Sequence, residues 1–424
     1  MKKLLFNLAI LCLVSYYSCS NHKRPGGCCA PPLSMAGTGF TPSLAVSNDG
    51  IPHISFIEER FDNKLGRQMY LKHTEKNNGE WKNEKIFKND YLDINNQKMA
   101  LDTNGFVHII YGERSTDYVG VKYASNKDAT WSSETISSET DNDTMYGSDI
   151  VIGEHPTVLY FKDLPFHSSS LNLAERINGK WESNKIFEQI FNCCYGDFRY
   201  YYKLLTNDDK GNLIIGLNSL ESSRGVEYLY RTDTWNVEKV IATGNYEENI
   251  SINDSGEVEI IANYYRSRGK VESDGTNCFK ACTELKYIRK KDGIWNVENL
   301  IDGQDNVWRM LHGYTNKGGR EYFVYSTEPN NSNYAYSIGN YPKGNRLLKV
   351  GVRENDTWRF MNVGNEEYGS MISVDADNNG GLHIAFGYFL PDKTLKIGNS
   401  TFYISILKYA YWDGSAWKIE VVDE

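Results

Sequence analysis

The chain is short of the features that announce most enzyme classes. It has no glycine loop ending in Lys-Ser or Lys-Thr, no Gly-x-Ser-x-Gly elbow and no His-Glu-x-x-His pair. Those absences remove P-loop phosphate chemistry, the hydrolase nucleophile elbow and the helical zinc-protease site. No segment carries a helical hydrophobic period, and beyond the first nineteen residues there is no long apolar run. Basic residues are outnumbered, 46 Lys and Arg against 55 Asp and Glu, for a net charge of −9 and a pI near 5.5. A general nucleic-acid binder would carry the opposite balance.

What is present repeats. LKYAYWDGSAWKIEVV (Leu407 to Val422) is a β-hairpin with a tight Asp-Gly turn and a Trp opening its second strand. LKYIRKKDGIWNVENLI, LNLAERINGKWESNKIF, VKYASNKDATWSSETI and YLKHTEKNNGEWKNEKIF are the same hairpin, with looser copies at Trp235 and Trp358. The tryptophans Trp81, Trp131, Trp181, Trp235, Trp295, Trp358 and Trp417 fall 50, 50, 54, 60, 63 and 59 residues apart. Before each hairpin stand two more alternating strands around an Asx-Gly turn, as in SLAVSNDGIPHISF, MALDTNGFVHIIY and ISVDADNNGGLHIAF. Asx-Gly between alternating strands marks hairpins, and periods of this size mark propellers and solenoids. Four short antiparallel strands in each of seven units predict an all-β, seven-bladed β-propeller over residues 38–424. A β-sandwich would leave the seven-fold repetition unexplained. The 30 tyrosines suit half-buried sheet surfaces.

Residues 1–19 read as a secretory signal: MKK is basic, LLFNLAILCLV apolar, and Ser18 precedes Cys19. The pattern resembles a bacterial lipoprotein signal, with Cys19 as the lipidated residue, although Tyr16 and Tyr17 depart from the usual residues. The apolar run is too short to span a bilayer. Residues 20–37, rich in Pro, Gly and Ser, read as a tether. The expectation is an exported protein held by its lipid to the outer membrane or cell surface, and otherwise free of the membrane.

Export permits disulfides. Cys278 and Cys282 could staple one long loop, while Cys28-Cys29 and Cys193-Cys194 could join the N-terminal segment to blade four. A zinc site made of Cys282, Cys278, one of Cys193 or Cys194 and a histidine stays open, without the Cys-x-x-Cys spacing that would favour it. No cofactor is expected beyond such a structural zinc or calcium ion.

Within each repeat the turns after the first and third strands are minimal, whereas the loops after the second strand are long and all different. Minimal turns on one face and irregular loops on the other put recognition on the loop face. Those loops carry Arg60, Lys64, Arg67, Arg114, Lys162, Arg224, Arg266, Arg268, Lys270, Lys343 and Arg346, interleaved with Tyr118, Tyr264, Tyr334 and Tyr336. A cationic, tyrosine-lined rim on an acidic body attracts an anionic ligand, and Arg suits carboxylate or sulfate. His53, His108 and His383 share one repeat position and read as structural; His73 replaces a repeat Tyr and is expected to face His53. His167 lies on the loop face.

The repeat L-x-x-D-x-x-G-x-x-H-I-x-Y followed by L-K-Y-A-x-x-x-G-x-W resembles that of secreted bacterial propeller polysaccharide lyases, including the ulvan lyases of families 24 and 25, over the whole mature chain. The resemblance implies a His pair in one blade, then a Tyr and an Arg about sixteen residues apart in the next. The pair is not matched here: Asn95 and Asn96 stand at the first position, and Arg114 lies near the second. In the following blade Tyr146 precedes Lys162 by sixteen residues, with His167 five further on.

Cleavage of a uronate glycan by elimination needs the carboxylate neutralised and the adjacent proton removed. The resemblance therefore implies Tyr146, Lys162 and His167 as catalytic candidates. Asn95, Asn96, Arg114, Tyr118, Arg224 and Arg266 would bind an acidic, sulfated, ulvan-like polysaccharide. The alternative is a surface propeller that binds glycan without cleaving it, and a protein scaffold is a third reading. A closed propeller needs no second copy, so a monomer is expected.

Overall fold

The protein is represented by a computed structural model that describes residues 35–62, 66–89, 94–114, 118–128, 130–139, 145–164, 168–190, 205–207, 211–218, 226–241, 246–253, 256–267, 281–300, 307–317, 319–329, 347–367, 372–397 and 400–424. Every regular element among them is a β-strand. The first unit is β1–β4 (Met35–Val46, Pro52–Asp62, Gly66–Asn77, Glu80–Asn89) and the second β5–β8 (Ile94–Leu101, Val107–Arg114, Val119–Ser125, Ser132–Glu139). The third is β9–β12 (Met145–Ile152, Pro156–Leu164, Ser168–Ile177, Lys180–Ile190) and the fourth β13–β16 (Leu205–Asn207, Leu213–Asn218, Val226–Arg231, Trp235–Ile241). The fifth is β17–β20 (Tyr246–Ile252, Val258–Ser267, Ala281–Lys291, Ile294–Leu300) and the sixth β21–β24 (Val307–Lys317, Arg320–Pro329, Leu347–Glu354, Thr357–Glu367). The seventh is β25–β28 (Ile372–Ala376, Leu382–Ile397, Ser400–Trp412, Trp417–Asp423).

Each unit is an antiparallel meander, and the first strand of each touches the first strand of the next, with β25 returning to β1. That all-β arrangement is consistent with a β-propeller. The turns are those the sequence asks for. Asn78-Gly79, Asn178-Gly179 and Asp292-Gly293 hold both residues at positive φ, as a two-residue hairpin of matching twist requires. In the other turn type, Asp102 Oδ1 accepts the Asn104 and Phe106 amides at 2.9 Å, and Asp377 Oδ1 accepts those of Asn379 and Gly381 at 2.8 Å.

The core lies between the units. Ile57, Met69 and Leu71 pack against Val107, Ile109 and Tyr111 of the second unit. Because both faces of such a sheet are covered, Val107–Glu113 is buried residue after residue instead of alternating. Burial of each large aliphatic side chain contributes about 2 kcal/mol. The repeat tryptophans extend the same seams: Trp81, Trp181, Trp295 and Trp358 stand edge-on to Tyr409, Tyr123, Tyr228 and Tyr287 of the preceding unit. Ion pairs flank them, as with Lys290 and Glu238 at 2.5 Å, where Trp295 Nε1 also donates to Glu238.

The seam between the last and first units is made differently. Met35, Ala36 and Gly37 run parallel to Tyr403, Ile404 and Ser405 of β27, joining the two units into one eight-stranded sheet. This β1 start lies inside the segment expected to be tether. Thr38 Oγ1 then donates to the Asp423 carbonyl at 2.9 Å and accepts the Leu407 amide at 3.2 Å. Lys72, buried, bonds Asp423, and Lys76 bonds Glu420. Gly37 has φ +111°, and a Cβ there would lie 2.2 Å from the Ser405 carbonyl oxygen. Gly37→Ala should therefore destabilise the fold by about 3 kcal/mol, read as a lowered melting temperature. Alanine at Gly79, whose Cβ meets nothing, should cost only the strain of its positive φ, about 1 kcal/mol.

Candidate functional site

The ends of β5, β6, β9 and β10 bring several sequence candidates to one rim. Asn95 pairs with Gly112 across β5 and β6, and Arg114 ends β6, opposite Val119. One unit on, Tyr146 pairs with Phe161, and Lys162 with Met145. Asn95, Asn96, Tyr146 and Arg266 are placed by their backbone. Arg266 pairs with Cys282 in the fifth unit, away from this pair of sheets. Cys19, His167 and Arg224 lie outside the described residues, as do Cys28, Cys29, Cys193, Cys194 and Cys278.

The charges at this rim are more matched than the sequence suggests. Lys162 Nζ lies 2.5 Å from Glu139 Oε1 at the end of β8. Arg60 is paired with Glu58, and Arg67 with Glu59. Arg114 is exposed and makes no ion pair with another described residue. Tyr118 donates to the Glu113 carboxylate; burial, then that carboxylate, raises its phenol above the ordinary value. Tyr118 thus holds its proton, with its hydroxyl fixed on the Glu113 carboxylate. Lys122 lies 3.3 Å from Glu113 and 5.2 Å from the Tyr118 ring centre.

A second feature is the axial channel, a cavity of about 370 Å³ lined by first strands. Its polar side chains are used to bond neighbouring units. Ser43 Oγ accepts the Met99 amide at 3.0 Å, and Asp149 Oδ2 the Leu205 amide at 2.9 Å. Ser373 Oγ accepts the Leu44 amide and Asp375 Oδ2 that of Val46, at 3.0 and 2.8 Å. Side-chain oxygens thus satisfy backbone donors on a strand edge that has no further strand beside it.

The repeat histidines behave as structural groups. His108 Nε2 faces Asp102 at 3.5 Å and its Nδ1 accepts from the Tyr123 hydroxyl at 2.5 Å. His383 stands likewise between Asp377 at 3.3 Å and Tyr409 at 2.6 Å. Among the described residues no group of three or more His, Cys, Asp or Glu is arranged to hold a metal ion.

The sequence reading passed over Glu259, which occupies the repeat histidine position of the fifth unit. It is fully buried and accepts from Asn253, Tyr287, Tyr314 and Asn316 at 2.9, 2.8, 2.5 and 2.8 Å. Its alignment behind Gly256 was the available signal. It also missed Glu139 and Glu113, the partners that engage Lys162 and Tyr118.

No protein-family model matches the chain, and no curated protein sequence matches it. Solved structures do. A family 25 ulvan lyase superposes at a TM-score of 0.48 and 12% identity, over 92% of this chain and 97% of the lyase. A mutant of the Aleuria aurantia lectin, in complex with α-methyl-L-fucoside, gives 0.40 and 11%, over 78% and 95%. A puromycin-hydrolysing peptidase of Mycobacterium tuberculosis gives 0.40 and 10%, over 68% of this chain and only 43% of the peptidase. Likeness at these scores bears on neither activity nor ligand.

Glu259→Ala would take the acceptor from two buried tyrosine hydroxyls, Tyr287 and Tyr314, and from the half-buried amides of Asn253 and Asn316. It should destabilise the protein by about 3 kcal/mol or more, measured by urea denaturation, while leaving the distant β5–β10 rim unchanged.

Proposed function

We propose that the seven units are the blades of one closed propeller and that the protein is an exported polysaccharide lyase. Its substrate is an acidic, uronate-containing polysaccharide of the sulfated, ulvan-like kind. One observation carries the reading: strand pairing sets Tyr146 beside Phe161 and Lys162 at the same rim as Arg114 of the preceding unit. A phenol and two cations from adjacent blades are the groups that elimination next to a carboxylate needs.

In this reading Arg114, which has no described ion-pair partner, receives the uronate carboxylate and makes the C5 proton acidic. The C5–H bond breaks, its electrons form the C4–C5 double bond, and the C4–O bond breaks with its pair leaving on oxygen. Tyr146 takes the C5 proton as its phenolate, or returns a proton to the leaving oxygen as its phenol. His167 is assigned to the same site, and Asn95 and Asn96 are assigned to the bound sugar. Cys19 is taken as the lipidated residue that holds the monomer to the outer membrane or cell surface, with the tether between.

The 2.5 Å pair of Lys162 with Glu139 favours a second reading. A lysine already neutralised by the protein has less to offer a reacting carboxylate, which suits a surface propeller that binds glycan and does not cleave it.

Purified protein mixed with uronate polysaccharides should produce the ultraviolet absorbance of an unsaturated uronate, and Tyr146→Phe should abolish it. Glu139→Gln, which frees Lys162, should strengthen retention in acidic-polysaccharide gels under either reading and raise elimination only under the first. Retention with no absorbance on any uronate substrate would leave the binding reading standing alone.

A further inference from the structure

The first unit departs from its neighbours at two linked positions. Where the second and seventh units place Asp102 and Asp377 three residues before the turn glycine, the first has Ser47. Where they offer Tyr123 and Tyr409 to the repeat histidine, it offers His73. The result is a chain of two buried imidazoles that ends on the exposed Glu84 carboxylate. His73 Nδ1 donates to Glu84 Oε1 at 2.8 Å, and its Nε2 accepts from His53 Nδ1 at 3.2 Å. The donor order follows from Glu84, which can only accept while ionised. The rings are 21° from coplanar with centroids 5.4 Å apart. Nitrogens 3.2 Å apart in such rings point at one another, so the contact is a hydrogen bond and not a pair of ligands converging on a metal.

This chain sits on the seam with the second unit. Trp131 packs on His73, with ring centroids 5.6 Å apart. We propose that Glu84–His73–His53 is an acid-sensitive latch on this seam, which holds while both imidazoles are neutral and weakens when His53 takes a proton. The inference is independent of the proposed activity.

A proton on His53 meets little that would accept it. Its own unit supplies Glu75 at 3.8 Å and Asp49 in the adjoining turn, and Asp49 is engaged by Ser47 Oγ at 2.5 Å. From β3 it faces His73, whose lone pair is already used; from β4 the carboxylate Glu84 lies beyond His73; and the second unit contributes the uncharged Trp131. In the second and seventh units Asp102 and Asp377 face Nε2 of the histidine, the nitrogen that a second proton would occupy in His53, at 3.5 and 3.3 Å. Burial, and then His73, push the His53 imidazole down to about 4. An unfolded histidine titrates near about 6.5. The latch therefore contributes its full stability above about pH 6.5 and loses it as the pH falls toward 4.

The test compares the whole protein with Ser47→Asp and His73→Tyr, each of which installs what the neighbouring units already use at that position. Melting temperature is followed from about pH 7 to about pH 4.5, the window set by the shift, and the His53 ring protons are titrated by NMR. Wild type should lose stability through the window, and each variant should lose at most about half as much. Parallel losses in all three proteins would overturn the latch and assign the acid sensitivity to carboxylates elsewhere. So would a His53 that titrates at the ordinary histidine value.

Discussion

A row of sheets that packs face to face has two open ends, and this fold depends on how they meet. Hydrophobic burial at each seam needs a neighbour on both sides, so an unclosed end would expose Leu44, Ile54 and Phe56 on one unit and Leu407 and Tyr409 on the other. The chain closes with backbone as well as side chains. Three residues of β1 pair with β27, and the Thr38 hydroxyl ties the Leu407 amide to the Asp423 carbonyl. Only a glycine fits at position 37, where the strands approach most closely. Lys72 and Lys76 add charge pairs to the final strand at the same seam. The first and last residues of the fold thus carry the contact that makes the other seams possible.

Elsewhere the seams share one local vocabulary, which ties neighbouring units together on the turn-rich face. A Trp from each unit reaches back onto an aromatic or apolar group of the one before, and a Glu three residues after a Trp accepts from a Lys, an Arg or the next Trp. The position three residues past the turn glycine is filled by His53, His108, His383 or Glu259, and each bonds a side chain on the third strand of its own unit. Histidine and glutamate are exchanged because what matters there is a buried partner for a hydroxyl or imidazole. That accounting leaves the irregular face to interact with other molecules.

Much of this was legible. Asn-Gly and Asp-Gly demand positive φ, and the tryptophan spacing revealed the units, so hairpins and four-strand groups follow from local chemistry. Pairing across seams was not. Lys162 and Glu139 are 23 residues apart and belong to different units, and nothing in either segment announces their contact. The rim therefore reads as more cationic in sequence than in structure, where Glu58, Glu59 and Glu139 match three of its charges. The start of β1 was obscured because a short parallel pairing built on Gly37 and Gly39 has the composition of a linker.

The central claim is that the β5, β6, β9 and β10 ends form the face that meets an acidic glycan, with the turn-rich face reserved for holding the ring together. Hydrogen–deuterium exchange with and without a uronate oligosaccharide tests it most directly. The account predicts slowed exchange at the amides around Asn95, Arg114, Tyr146 and Lys162, with none at the Asp102–Gly105 and Asp377–Gly380 turns. Protection confined to those turns, or to the axial first strands, would contradict it.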